Sequence, residues 1–178
     1  MDFFKLIEKR RSIRKYQKRR VEPEKVAALM EAALRAPSSR GLNPWEFIVV
    51  DDPGLITQLS KAKQHSASFL AGAPLAVVIC ADPEKCDVWI EDTSIASIYI
   101  SLAAEALGLG NCWVQIRQRM HSSAKTAEEY VREVLKIPQN LKVESILAIG
   151  YPDEQKEGHR SDELLYDKIS NNTYRGAV

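Results

Sequence analysis

The chain has 178 residues, 45% of them hydrophobic and 28% charged, with a formal net charge of +1. At roughly 100–200 residues per domain this is one globular domain, not a disordered chain, and its three cysteines (Cys80, Cys86, Cys112) contain no C-x-x-C pair that would hint at a disulfide framework or a zinc site. Nine Lys/Arg against two acids give residues 1–20 a charge of +7, so the remaining 158 residues carry −6.

Asp2–Arg11 reads as a short helix with Asp2 as cap and Phe3, Phe4, Leu6 and Ile7 as its apolar face. Lys5, Glu8, Lys9, Arg10 and Arg11 interrupt it too early for a signal core, which predicts a soluble, cytoplasmic protein. Pro23 opens a second helix whose buried stripe is Val26, Leu29, Met30, Ala33 and Leu34, and Pro37 ends it. A polar loop, Ser38–Asn43, leads to a buried strand at Trp45–Val50, and a helix follows from Pro53 to about Lys63.

Leu75–Cys80 is a continuous apolar run and predicts a strand covered on both faces. Asp92–Leu107 predicts a helix that is apolar almost all round, although its longest uncharged stretch, Thr93–Ala104, is too short to span a bilayer. Enclosing such a helix in so small a domain calls for a second subunit. Gly108 reads as its cap. Asn111–Gln115 is a third strand, Thr126–Lys136 an amphipathic helix, Val143–Ile149 a fourth strand and Ser161–Ile169 a last short helix. Alternating strands and helices predict an α/β or α+β fold with a mixed central sheet flanked by helices.

Common catalytic signatures are missing. The three histidines are far apart in sequence, with His121 and His159 in polar stretches that predict solvation. There is no G-x-S-x-G elbow and no phosphate-loop lysine motif, and Cys112 in an apolar strand reads as a small buried hydrophobe. Gly108-Leu109-Gly110 follows a helix and precedes a strand, the reverse of the dinucleotide fingerprint, so it reads as a helix cap and tight turn. No metal site and no side-chain nucleophile are expected.

Two segments stand out instead. Arg10-Arg11-Ser12-Ile13-Arg14 sets three guanidinium groups and a hydroxyl within five residues, a donor set matched to one phosphate group. A nucleic-acid arm fits less well, because the rest of the chain is acidic. Ala36–Trp45 places two hydroxyls, an arginine and an amide between stiffening prolines, as a polar heterocycle would require.

RRSIRKY, APSSRGLNPWEF, ALGLGNCWV and AIGYPDE, in that order, resemble the nitroreductase family of FMN-dependent oxidoreductases, in a short form spanning roughly residues 2–168. The resemblance implies an α+β homodimer that buries a long central helix, with FMN at the subunit interface. It also implies ping-pong hydride transfer from NADH or NADPH to a small-molecule acceptor such as a nitroaromatic or quinone, with no nucleic acid or membrane partner. Carried over by position, Arg10, Arg11, Ser12 and Arg14 would hold the FMN phosphate, ribityl chain and pyrimidine edge. Pro37, Ser38, Ser39 and Asn43 would reach the flavin from the partner subunit. The backbone of Trp113, Val114, Gln115 and Ile116 would face the ring, and Arg160 would close on the phosphate. Ser66 and Phe69 stand where the family often has Asn and Lys, implying one flavin-edge cation fewer, and Gln115-Ile116 replaces a frequent Glu-Gly. Dehalogenation, desaturation, flavin fragmentation and flavin binding without turnover are the alternatives.

Overall fold

A computed structural model describes residues 2–65 and 67–175. Helix α1, Phe3–Lys9, starts where the Asp2 carboxylate accepts from the Phe4 N–H at 2.8 Å. Of its expected apolar face only Leu6 is buried, and Phe3, Phe4 and Ile7 are exposed. Helix α2, Pro23–Leu34, begins at its proline and buries Leu29 and Ala33, while Leu34 faces outward.

The sheet comprises β1 (Trp45–Val50), β2 (Leu75–Ala81), β3 (Gly110–Gln115) and β4 (Lys142–Gly150), in the order β1-β2-β4-β3. Every pairing within it is antiparallel, so the expected mixed sheet is corrected. The reason is topological. Strands β2 and β3 do run parallel, as their helical connection requires, but β4 inserts between them. The parallel contact that remains is a single bridge from Ser12 to Asn111. Strand β1 is an edge and buries only Val50, whereas all of β2 is buried.

Along β2 the side chains alternate. Leu75, Val77 and Ile79 meet α2 and α4 (Trp89–Ala106), and Ala76, Val78 and Cys80 meet α3 (Pro53–Leu59), the turn at Ser68–Gly72 and α5 (Ala127–Leu135). This gives three layers. A capping box starts α5: the Glu129 N–H donates to the Thr126 hydroxyl at 3.1 Å, and the Thr126 N–H to the Glu129 carboxylate at 2.8 Å. The expected terminal helix is instead two single turns, Ser161–Glu163 and Tyr166–Lys168, on a fully exposed tail too loosely packed to stabilise a helix.

Helix α4 inverts the usual amphipathic arrangement. Its buried side carries Asp92, Thr93, Ser97, Ser101 and Glu105 among small apolar residues, while Ile95, Ile98 and Tyr99 are exposed. The inner hydroxyls are satisfied locally, Ser97 donating to the Thr93 carbonyl at 2.8 Å and Ser101 to the Asn111 side chain at 2.8 Å. The chain by itself therefore leaves this helix open along one stripe. Among the described residues no helix is long and apolar enough to cross a membrane.

Gly150 ends β4 in a tight place. A Cβ there would lie 2.5 Å from Pro74 Cδ and 3.1 Å from Tyr16 Cδ1. Gly150→Ala is expected to destabilise the fold by about 1–3 kcal/mol through overpacking, read as a lower urea midpoint with an unchanged slope.

Candidate functional site

Helix α1 stops because Arg10 turns extended, at ψ 126°, and the chain then bridges to β3 at Ser12–Asn111 and to Pro152, past the end of β4, at Tyr16. The Ile13 N–H donates to the Asn111 carbonyl at 2.9 Å. Such an approach needs glycine at position 110, where a Cβ would sit 2.8 Å from the Ile13 side chain.

In an extended segment alternate side chains part company. The Ser12 side chain lies beside Cys112, and the Arg14 guanidinium stands 5.7 Å over the Phe69 ring. The same alternation puts Arg10 with them. Arg11 instead joins Ile13 in a cavity of about 350 Å³ with Lys9, Glu105, Glu154 and Lys156, and donates to the Glu157 carbonyl. Among the described residues Arg10, Arg11 and Arg14 pair with no carboxylate, whereas Lys9 reaches Glu105 at 3.3 Å. Arg10 and Arg14, on the side away from Glu105 and Glu154 and without ion-pair partners among the described residues, can receive an anion.

The chain after β4 returns along this segment as a strap. The Gln17 N–H donates to the Tyr151 carbonyl at 2.9 Å, the Asp153 N–H to Lys15 at 2.9 Å and the His159 N–H to Glu8 at 3.2 Å. The Glu154 carboxylate accepts from the Arg14 N–H at 2.5 Å, which more than any other contact holds its pKa below the usual range. Lys156 donates to the Ser12 carbonyl at 2.6 Å and pairs with Glu154 at 3.3 Å. Arg160 lies further out, exposed and paired with Asp162 at 2.7 Å. Lys156 is thus the tail cation that touches the segment. No motif marks it; only the course of the strap does.

Among the described residues β3 is paired, beyond the Ser12 bridge, only with β4, so the rest of its other edge carries no strand. Val114 and Ile116 bury their side chains and can offer only backbone there. The Trp113 indole N–H donates to the Gln115 side-chain oxygen at 2.9 Å, and the Gln115 amide donates to Glu144 at 3.2 Å. Glu144 is buried, its second oxygen has no partner, and burial pushes its pKa up. Sequence reading missed this residue, since an acid inside the apolar run of β4 shows no pattern.

The loop at 37–43 is held elsewhere. The Ser38 hydroxyl donates to Asp92 Oδ2 at 2.7 Å, the Ser39 N–H donates to Asp92 Oδ1 at 3.0 Å, and the Asn43 N–H donates back to the Ser38 hydroxyl at 2.9 Å. Arg40, Gly41 and Asn43 take positive φ of 54°, 66° and 47°, so the loop is tightly wound, and Pro37 is exposed beside it. Asp92 lies in the first turn of α4 and Glu105 in its last; thirteen residues at 1.5 Å each separate them by about 20 Å. One chain therefore does not bring Pro37, Ser38, Ser39 and Asn43 to the Arg10–Arg14 segment. Ser66 lies outside the described residues.

Cys112 is buried, and burial outweighs the opposing pull of Arg14 and raises its pKa. A thiol held protonated is a poor nucleophile. Native protein near pH 7.5 is expected to leave Cys112 unmodified by iodoacetamide over minutes, while all three cysteines label in urea; rapid native labelling at Cys112, read by mass spectrometry, contradicts this. His121 is half-buried rather than solvated, because its ring stacks on Tyr130 with centroids 4.0 Å apart.

The chain matches the family model described as the nitroreductase family over residues 7–67 and 57–151. An FMN-dependent nitroreductase from Clostridium difficile R20291 superposes with a TM-score of 0.94 at 50% identity, over 95% of this chain and 98% of the other. A protein from Archaeoglobus fulgidus with the provisional name NADH dehydrogenase/NAD(P)H nitroreductase is 36% identical over 163 residues, 89% of this chain and 90% of its own. An NADH dehydrogenase from Thermus thermophilus is 28% identical over 198 residues, 90% of this chain and 91% of its own.

Proposed function

The chain belongs to the nitroreductase family, and from that premise we propose that it is an FMN-dependent oxidoreductase drawing on NADH or NADPH and reducing a small-molecule acceptor such as a nitroaromatic or quinone in alternating half-reactions. The observation that carries the reading is the set Arg10, Ser12 and Arg14 on an extended segment beside β3, with no ion pair at either guanidinium among the described residues. Such a donor set fits a ligand with a phosphate at one end and a planar ring at the other.

FMN supplies the two-electron chemistry when bound. Arg10 and Ser12 would hold its phosphate and ribityl chain, and Arg14 would set a positive charge against the pyrimidine edge. That charge favours the reduced, anionic form and so raises the potential. Backbone at Trp113, Val114, Gln115 and Ile116 would line the ring, and the Trp113–Gln115–Glu144 hydrogen bonds fix the side chains of that strand. Lys156 steadies the extended backbone at Ser12.

The second half of the site comes from another copy of the chain. Two observations support a homodimer: about 20 Å of α4 separates the 37–43 loop from the arginine segment, and α4 exposes Ile95, Ile98 and Tyr99. A partner subunit would cover that stripe and deliver its own Pro37, Ser38, Ser39 and Asn43 to the ring.

Purified protein is expected to show an oxidised flavin spectrum that bleaches on anaerobic mixing with NADH or NADPH and returns on adding an acceptor. A flavin that forms but never bleaches removes the reductase reading. Protein that takes up no flavin removes the site.

A further inference from the structure

A second cavity, about 450 Å³, lies between the end of α3 and the loop that precedes α5. Its lining includes Ser60, Lys61, Lys63, His65, Ser68 and His121, and no carboxylate. Arg119 stands beside it, close enough to Lys63 to act against its charge. Among the described residues none of these five basic side chains forms an ion pair. The His121 ring is fixed twice over, by stacking on Tyr130 and by an Nδ1 hydrogen bond to the Lys61 carbonyl at 2.8 Å, which leaves Nε2 for a ligand.

Unopposed cations around a concave surface repel one another, and a bound anion relieves that repulsion. Burial and Arg119 both disfavour the charged form of Lys63, as expected of a pocket whose counter-ion arrives with a ligand. One residue links the cavity to the arginine segment. Ser68 in its lining precedes Phe69, which carries Arg14 over its ring, and Lys63 and Arg14 are both within electrostatic reach of Cys112.

We propose that this cavity binds a phosphate of the reductant, and that it selects NADPH over NADH by receiving the 2′-phosphate. The proposal rests on the oxidoreductase reading above. A phosphate monoester is the chemical difference between the two nicotinamides, and lysine and histidine donors with two nearby hydroxyls suit a compact dianion.

The test uses the flavin-loaded protein and has two arms. In the first, inorganic pyrophosphate is titrated into wild type and into Lys63→Met and Arg119→Met variants, with binding read by calorimetry. Wild type is expected to bind and each variant to bind at least tenfold more weakly; no binding to wild type, or equal binding throughout, overturns the site. In the second, flavin bleaching by each nicotinamide is followed by stopped flow. The ratio of kcat/KM for NADPH to that for NADH is expected to fall at least tenfold in both variants, to survive in Lys63→Arg, and to stay at the wild-type value in Lys85→Met, a remote surface change of equal charge. Parallel loss with both nicotinamides overturns the selectivity claim. If neither nicotinamide bleaches wild type, the oxidoreductase reading fails, while the pyrophosphate arm still decides whether the cavity is an anion site.

Discussion

Replacing Arg14 with alanine is expected to weaken FMN binding roughly 10- to 150-fold, the equivalent of a charge-assisted hydrogen bond of about 1.5–3 kcal/mol. Arg14 is exposed, touches Phe69 with its guanidinium and is anchored through its backbone by Glu154, so truncation removes a ligand contact and little else. Thermal unfolding of the flavin-free protein should therefore move by no more than a degree or two. Arg10→Ala should act in the same direction through the phosphate. Arg14→Lys keeps the charge without the planar fork, so it should retain part of the affinity. Fluorescence titration with FMN measures all three, and wild-type affinity in both alanine variants would sink the assignment. Loss of the Arg14 charge should also lower the midpoint potential of the bound flavin, because the reduced form loses more than the oxidised form.

Asp92→Ala should have the larger effect on the protein itself. Asp92 is 2% exposed and accepts from Ser38 and from the Ser39 backbone, with Cys86 at 3.6 Å. Removing it strands two donors at about 1–3 kcal/mol each, for a loss of about 2–5 kcal/mol once some rehydration is allowed. The other restraints on the 37–43 loop are turns within it, with Gly41 and Leu42 N–H donating to the Ser38 and Ser39 carbonyls at 3.1 Å, and an exposed Arg40–Asp87 pair, so Asp92 is its buried anchor. On the dimeric reading, flavin affinity should fall along with stability. Asp92→Asn keeps one acceptor oxygen but turns an N–H₂ toward a donor, so it should fall between the two. Urea unfolding beside FMN titration separates the effects; a variant as stable as wild type would mean that the loop is held by other means.

The local parts of the fold were legible because their causes are local. Asp2 and Pro23 start helices wherever such residues precede an apolar stripe, and Leu75–Ala81 is buried on both faces as its uninterrupted run requires. Gly108 adopts φ 73° at the end of α4, as a helix cap does. The sheet's handedness of pairing was not legible, because nothing near β2 or β3 records that β4 comes between them. Periodicity also misled at α4, where counting apolar residues hid that Ser97 and Ser101 face inward and Ile98 outward. At the site, composition identified the arginine run but not its sidedness. The pairing of Ser12 with Asn111 turns Arg11 away from Ser12 and Arg14, and that pairing spans about a hundred residues. Asp92, Glu144 and Lys156 matter through contacts distant in sequence, so no motif could have singled them out.

Helix α4 can also be regarded as a ruler. Through Asp92 its first turn carries the loop a protomer would lend to its partner, and through Glu105 its last turn meets the basic segment the protomer keeps. The spacing between these two contributions is then set by a count of helical turns rather than by loop lengths. Removing a whole turn between Ser94 and Ala103 would preserve the helix's facing while drawing its two ends about 5 Å closer. Such a protein could still fold and pair, yet bring its two half-sites together out of register.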